Sequence, residues 1–167
     1  MHIIMNMDVI SKNKRRVAIV LFILYLIVLC YFLFFSESMG RTYSERSYHY
    51  NLMPLKEIRR FLKYWRVLGI GAVAVNLVGN IAAFMPFGAF LPLFWARCRK
   101  LWRTALYGFE FSLFVETLQL ISKVGSFDVD DMILNTIGAI AGFFSCRALI
   151  RIKGGNERKE EEHTGTT

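Results

Sequence analysis

The chain has 167 residues, of which 54% are hydrophobic and 15% aromatic, and it carries a formal net charge of +8. This composition is too apolar for an ordinary water-soluble domain of this size. The apolar residues form four runs, each near the ~20 residues that cross a hydrocarbon core of ~30 Å. We assign the positive charge to the flanks of membrane spans, which argues against nucleic acid binding.

The first apolar run, residues 17–35, contains no charged residue and follows the basic sequence KNKRR. A cleaved signal peptide is the alternative interpretation. However, no small-residue cleavage site follows, and the run is longer than the apolar region of a usual signal peptide. We therefore predict a retained span after a basic N-terminal segment, residues 1–16.

The segment between the first two spans has the pattern of an amphipathic helix over residues 54–66, PLKEIRRFLKYWR. Leu55, Ile58, Leu62 and Trp65 recur at intervals of three and four and share one face. The other face is basic, with Lys56, Arg59, Arg60, Lys63 and Arg66. We predict a helix lying flat on the outer surface of the bilayer, where it would bind anionic headgroups or cap the bundle.

The second run, residues 68–95, is longer than a single span requires. It contains Pro86 and Pro92, and proline kinks or ends a helix. We therefore predict that the extra length breaks into a second short segment near the membrane interface.

The third and fourth runs predict spans over residues 104–122 and 131–150. The sequence thus predicts an all-α membrane protein, a four-transmembrane-helix bundle with the amphipathic helix between spans 1 and 2. The membrane domain would cover residues 17–152. The acidic, polar end, residues 153–167, predicts a disordered tail.

The distribution of Lys and Arg predicts the orientation of the bundle. Thirteen of the 21 lie before the first span, between the second and third, or in the last turn of the fourth and after it. We assign that side as cytoplasmic. Because the number of predicted spans is even, both termini, including the tail, would lie in the cytoplasm.

Polar side chains inside the spans are functional candidates, because a polar group in hydrocarbon is costly unless it faces the bundle interior. The loop between the last two spans is short, which predicts that they are antiparallel neighbours. Polar residues of three spans then fall in one layer near the outer side. We predict a polar pocket formed by Asn76, Asn80, Glu116, Gln119 and Asn135.

A structural role for this layer is the alternative, because Asn, Gln and Glu can form hydrogen bonds that hold membrane helices together. Gly138 and Gly142 support it, since a G-x-x-x-G step permits close helix approach. An amide would serve that purpose at lower cost than a carboxylate. Glu116 is therefore the strongest candidate for a role beyond folding.

An acidic loop precedes the fourth span, with Asp128, Asp130 and Asp131. Acids at a helix start accept hydrogen bonds from the first backbone N–H groups. Asp128 exceeds what capping requires, so we consider a salt bridge with Arg59 or Arg60. The alternative is that the three acids hold a divalent cation.

The sequence contains no phosphate loop, dinucleotide fingerprint, zinc-ligand spacing or nucleophile elbow. We therefore predict no cofactor and no resident metal. The sequence gives no motif for catalysis, and a non-enzymatic role is the preferred interpretation.

Four segments in a fixed order carry a family resemblance: NLMPLKEI, NLVGNIAAFMPFGAFLPL, ETLQL and GSFDVDDMILNTIGAIAGF. Over residues 51–144 the chain resembles the VanZ-like family of small bacterial membrane proteins. It departs from the family pattern at Leu55, where many members have Phe, and near Gly125, where many have Arg. The family pattern falls on Asn51, Pro54, Asn76, Asn80, Pro86, Gly88, Glu116, Gln119, Asp128, Asp130, Asp131, Asn135 and Gly138.

The family's namesake is associated with resistance to the lipoglycopeptide teicoplanin, so the resemblance implies a multi-pass protein of the bacterial cell membrane with a role in antibiotic resistance. We expect the polar pocket to engage a lipid-linked cell-wall precursor or a lipoglycopeptide, with membrane lipids as further partners. One alternative is a membrane enzyme that acts on a lipid phosphate, with a cation held by the acidic loop. Another is a small proton-coupled carrier with Glu116 as the relay.

Overall fold

The computed structural model describes residues 12–36, 50–123 and 125–164. Most of the predicted N-terminal segment and residues 165–167 of the predicted tail lie outside these ranges. The described elements, in chain order, are α1 (Lys12–Tyr31) with a π-helical turn (Phe32–Ser36), β1 (Tyr50–Asn51), α2 (Lys56–Lys63), α3 (Trp65–Leu68), α4 (Ile70–Phe94), a 3-10 turn (Ala96–Arg99), α5 (Leu101–Ser122), β2 (Phe127–Asp128) and α6 (Val129–Thr164).

Three of the described helices are long and apolar enough to cross a membrane, over Arg15–Phe34 of α1, Val73–Phe94 of α4 and Val129–Ile152 of α6. They coincide with the predicted first, second and fourth spans. α5 has the length of a span, 22 residues, but Glu110, Glu116 and Gln119 make it less apolar than the other three. The all-α class is confirmed, and the predicted third span, on α5, stays a prediction.

Glycines bring the backbones of α4 and α6 into direct contact at the centre of the bundle. A Cβ atom on Gly88 of α4 would overlap the backbone of Ala139 in α6. A Cβ atom on Gly138 or Gly142 would overlap the α4 backbone in the same way. Small residues allow such an approach between membrane helices, so the close contact predicted at the G-x-x-x-G step is confirmed.

α4 is continuous over its 25 residues and contains both Pro86 and Pro92. The predicted break into a second short segment is therefore wrong. A proline at position 86 removes the N–H donor for the carbonyl of Ala82 and disturbs the preceding turn, and contacts from a neighbouring helix can hold such a turn. Here the Tyr25 hydroxyl of α1 donates a hydrogen bond of 2.7 Å to the carbonyl of Ala83, in the turn before Pro86.

Aromatic rings fill the space between α1, α4 and α5. Phe87 of α4 and Phe111 of α5 are stacked with their ring centroids 4.7 Å apart. Phe22 of α1 lies 5.4 Å from Phe90 and 5.3 Å from Phe94, again between ring centroids. Such pairs contribute beyond their buried area, so they fasten α1 to the bundle although most of its side chains are exposed.

α6 continues to Thr164, well past the predicted end of the last span. The structure thus places a helix over residues 153–164, where the sequence predicts a disordered tail. This stretch is rich in Glu, Lys and Arg, which are good helix formers. It also extends an existing helix, so it avoids the cost of nucleation.

Candidate functional site

Most of the polar residues predicted from the sequence meet at the end of the bundle where α6 begins. The chain passes from α5 to β2 in a few residues, and β2 pairs in parallel with β1, which places Asn51 opposite Asp128. α2 starts beside this strand pair. We call this region the acidic end, and its carboxylates are those of Glu116, Asp128, Asp130 and Asp131.

Asp130 is buried, with 1% of its surface exposed, and its carboxylate binds the first backbone N–H groups of α2. One oxygen, Oδ1, accepts a hydrogen bond from the backbone N–H of Leu55. The other, Oδ2, accepts from Glu57 at 2.7 Å and from Ile58 at 3.1 Å. Three backbone donors that a helix start leaves unpaired are therefore satisfied by one side chain of another helix.

The start of α2 explains why the cap comes from a distant part of the chain. Leu55 precedes the helix in the left-handed conformation, with φ of 65°, and its side chain cannot cap the helix. Asp130 and Asp131 do lie in the first turn of α6, as predicted. The carboxylate of Asp130, however, caps α2, and its negative charge also complements the positive end of that helix.

Asp128 connects the strand pair to the start of α6. Its Oδ1 accepts hydrogen bonds from Nδ2 of Asn51 at 3.0 Å and from the backbone N–H of Asp130 at 2.8 Å. Burial raises the pKa of the Asp128 carboxyl, the two hydrogen bonds oppose that shift, and the nearby charges of Asp130 and Glu57 add to it. A buried carboxylate here therefore favours its protonated form more than an exposed aspartate does.

Glu116 holds this loop from α5. Its side chain is 3% exposed, and Oε2 accepts a hydrogen bond of 3.0 Å from the backbone N–H of Asp128. The deep carboxylate singled out in the sequence thus has a structural contact with β2. That contact gives Glu116 a positioning role whatever further role it has.

The two asparagines of α4 lie in different surroundings. Nδ2 of Asn80 donates a hydrogen bond of 2.5 Å to Oδ1 of Asp131, which joins α4 to the start of α6. Asn76, one turn earlier, is exposed. Asn80 is therefore part of the acidic end, whereas Asn76 lies at its margin.

Asn135 and Gln119 make separate contacts away from the carboxylates. Nδ2 of Asn135 donates to Oγ of Ser112 at 2.9 Å, between α6 and α5. Oδ1 of Asn135 is buried and has no hydrogen-bond partner among the described residues. Nε2 of Gln119 donates to the carbonyl of Leu33 at 2.9 Å and so ties α5 to the end of α1. The described contacts of Asn80, Glu116, Gln119 and Asn135 go to different elements, and the polar pocket stays a prediction.

The basic residues of the predicted amphipathic helix lie on α2, except Arg66 on α3, and all remain accessible. Lys56, Arg59, Arg60 and Lys63 are exposed. The predicted single helix is divided at Tyr64 into α2 and α3, and Trp65 begins α3.

The predicted salt bridge between Asp128 and this helix is not seen among the described residues. Arg60 instead pairs with Glu57 of its own helix at 2.7 Å. Asp128 is occupied by Asn51 and the Asp130 backbone. α2 is therefore held through its backbone N–H groups, and Lys56, Arg59 and Lys63 remain exposed, with the Lys63 ammonium 5.4 Å from the ring centroid of Tyr64.

No group of three or more His, Cys, Asp or Glu in the described ranges is arranged to hold a metal ion. The carboxylates of the acidic end accept hydrogen bonds from backbone and amide donors instead. The arrangement can therefore fix α2 and β1 against α5 and α6. It presents exposed cations rather than exposed carboxylates.

Sequence reasoning missed the roles of two residues. Asn51 was recognised only as a family position, and its contact with Asp128 spans 77 residues. Ser112 was not singled out, although it lies one turn from Glu116 on the same face of α5. That spacing is the signal that predicts Ser112 as a polar interior residue.

The helices and the apolar composition define a small multi-helix membrane protein. A family model described as VanZ/LLP1 matches residues 22–151, and the chain belongs to the VanZ-like family. The resemblance seen in the sequence motifs is thereby confirmed. No curated protein and no solved structure matches the chain.

Proposed function

We propose that this VanZ-like protein engages a lipid-linked or otherwise amphiphilic molecule of the bacterial cell envelope through the basic face of α2. One observation carries the proposal: the buried carboxylate of Asp130 holds the start of α2 by three backbone N–H groups. A helix fixed in this way keeps the backbone positions of its basic residues constant. Basic residues on a fixed helix bind an anionic headgroup with less loss of backbone entropy than a mobile segment would.

The surface around α2 suits an amphiphile. Lys56, Arg59 and Lys63 are spaced three and four residues apart, so they share a face and can meet one anionic group together. Leu62 and Trp65 are 60% and 41% exposed nearby and can contact the apolar part of the same molecule. In the orientation predicted from the Lys and Arg distribution, this surface faces the outside of the cell membrane.

The family points to antibiotic resistance as the physiological setting. Its namesake is associated with teicoplanin resistance, and we propose the same link for this chain. A lipid-linked cell-wall precursor carries anionic phosphate groups and an apolar tail, which is the chemistry that α2 presents. The internal hydrogen bonds of the carboxylates favour this binding role over a reaction on a lipid phosphate.

Teicoplanin susceptibility tests the proposal in a strain that lacks the protein. The strain is complemented with the wild type or with a variant carrying Lys56→Gln, Arg59→Gln and Lys63→Gln. A control variant carries Arg97→Gln, Arg147→Gln and Arg151→Gln, which removes the same charge from exposed residues at the opposite end. Membrane abundance is matched by immunoblot.

The proposal predicts that the wild type and the control protect the strain, while the α2 variant does not. Equal protection by all three proteins would contradict a role of the α2 cations. If none protects, the link to teicoplanin resistance fails.

A further inference from the structure

Glu110 is an isolated carboxylate on the outside of the bundle. It lies on α5 and is exposed, and it has no hydrogen bond or ion pair among the described residues. The carboxylates of the acidic end, in contrast, all have partners. An exposed carboxylate without a partner is common where water surrounds it. It is costly inside the hydrocarbon core of a membrane, and Glu110 lies at that depth.

The contacts between α5 and α6 give that depth. Ser112 of α5 bonds Asn135 of α6, and Gly108 of α5 faces Ala139. Glu110 therefore lies level with the part of α6 between these two residues, about 12 Å along from the start of the helix. Because α6 is long and apolar enough to cross a membrane, Glu110 lies close to the middle of a hydrocarbon core of ~30 Å.

Glu110 cannot reach water or a cation of its own chain easily. The start of α5 at Leu101 is about 13 Å away along the helix axis, further than a glutamate side chain extends. Arg103 is two turns away, and its guanidinium lies over the ring of Trp102 and donates to the carbonyl of Arg97. Acidic residues at such depth face protein or a water-filled cavity rather than lipid.

The face of α5 around Glu110 has the spacing of a helix-packing seam. Leu106, Glu110, Leu113 and Thr117 are all exposed and recur at intervals of four, three and four residues. This is the spacing at which one helix packs along another in a left-handed pair. A single polar residue in such a seam fixes the register of the two helices.

We propose that α5 packs through this seam against α5 of a second copy of the chain, with the two helices parallel. The seam is self-complementary in this arrangement, which is why a second copy is the partner. Tyr107 lies one turn from Glu110 and is exposed, and its hydroxyl has no hydrogen-bond partner among the described residues. Across a two-fold axis, Glu110 of each copy accepts a hydrogen bond from Tyr107 of the partner subunit.

This interface is independent of the α2 proposal, since α2 is another element and Glu116 of α5 is buried, whereas the seam residues are exposed. It requires only that α6 and α5 lie in the membrane together. The pairing also accounts for the lower hydropathy of α5, because Glu116 and Gln119 face the interior of one subunit and Glu110 faces the interface between two.

Photo-cross-linking in membranes tests the interface, using a photoreactive phenylalanine analogue at one position at a time. Phe114 lies one turn from Glu110 on the seam side of α5, and Phe144 is a matched position on α6. The two side chains are 58% and 53% exposed. The proposal predicts a cross-linked species of twice the chain mass from Phe114 and none from Phe144. No such species from Phe114, equal amounts from both, or a product of another mass overturns it.

Two pairs of variants test the seam itself by co-purification of two differently tagged copies. Leu113→Trp obstructs the seam, whereas Ile137→Trp adds the same bulk to an exposed residue of α6 at similar depth. Glu110→Leu removes the acceptor that the proposed interface would enclose, and Glu110→Gln retains one. We expect Leu113→Trp and Glu110→Leu to lower the co-purified fraction about fivefold or more. Unchanged co-purification in both of these variants overturns the proposal.

Discussion

Glu57 and Asp130 are 73 residues apart, yet the backbone N–H of Glu57 donates a hydrogen bond of 2.7 Å to the buried Oδ2 of Asp130. This bond joins the first turn of α2 to the first turn of α6. It makes the position of a basic surface helix depend on an acid inside the bundle. Asp130, a family-motif residue at the start of α6, therefore holds the basic surface of a different helix, α2, in place.

Replacing Asp130 tests this dependence. Asp130→Ala leaves three N–H groups at the start of α2 without their acceptor, and we expect a loss of about 2 kcal/mol in the docking of α2. Hydrogen exchange at the amides of Glu57 and Ile58 should then accelerate about 30-fold, because local opening governs exchange there. Ser145→Ala is the control, since the exposed hydroxyl of Ser145 donates to the carbonyl of Ala141 within α6. Unchanged exchange at these amides in Asp130→Ala would contradict the account.

Asp128 gives the acidic end a dependence on pH. Burial raises its pKa above the ordinary value of 3.8, so the folded state binds this proton more tightly than the unfolded state. Stability contributed at this site is present below pH 3.8 and is lost as pH rises through the raised pKa.

Asp128→Asn should remove that dependence while keeping Oδ1 as an acceptor for Asn51 and for the Asp130 backbone. We expect the variant to unfold at a higher temperature than the wild type at neutral pH. The two proteins should converge below pH 3.8. Thermal unfolding in detergent across this range measures the difference. A difference between the two proteins that does not change with pH would contradict the raised pKa of Asp128.

The contact between α4 and α6 predicts a contrast between two glycines of one helix. Gly88→Ala would place a Cβ atom against the backbone of Ala139, and we expect a loss of about 1–3 kcal/mol from overpacking. Gly79→Ala enters open space and should be neutral or stabilising by up to about 1 kcal/mol, since alanine favours the helix. Free energies of unfolding in detergent provide the comparison. Similar effects at both sites would contradict the close packing.

Two substitutions of Glu116 distinguish its hydrogen bond to the Asp128 backbone from a functional need for its negative charge. Glu116→Gln keeps an oxygen that can accept from the backbone N–H of Asp128. Glu116→Leu leaves that buried N–H unpaired, which costs about 1–3 kcal/mol. We expect Gln to preserve stability and teicoplanin protection, and Leu to lower both, measured at equal membrane abundance. Loss of protection in Glu116→Gln alone would assign the carboxylate a role beyond positioning.

The helices were predictable because each apolar run is long enough to be recognised without tertiary information. The close approach of α4 to α6 at Gly138 and Gly142 was predictable for a related reason, because the G-x-x-x-G motif is defined by spacing within one helix. The break expected at Pro86 failed because the sequence does not reveal that Tyr25 of another helix supports the preceding turn. Local rules describe a proline in isolation, whereas the outcome depends on its neighbours.

The candidate site was predicted in its residues but not in its connections. The sequence predicts Asn80 and Glu116 at the same end of the bundle as the acidic loop, since depth follows from helix register, and both contact that loop. The contacts of Asp130 with α2 and of Asp128 with Asn51 join residues more than 70 positions apart. Pairing between such distant segments leaves no periodic signal in a single sequence, so local spacing could not predict it.

Binding of anionic lipid is the most direct test of the α2 surface. The purified full chain is released from nanodiscs containing phosphatidylglycerol and phosphatidylcholine, and native mass spectrometry counts the lipids that remain bound. We expect the wild type to retain phosphatidylglycerol preferentially, and the variant with Lys56→Gln, Arg59→Gln and Lys63→Gln to lose that preference by about tenfold or more. The control with Arg97→Gln, Arg147→Gln and Arg151→Gln should keep it. Equal retention of phosphatidylglycerol by the wild type and the α2 variant would contradict the proposed role of α2.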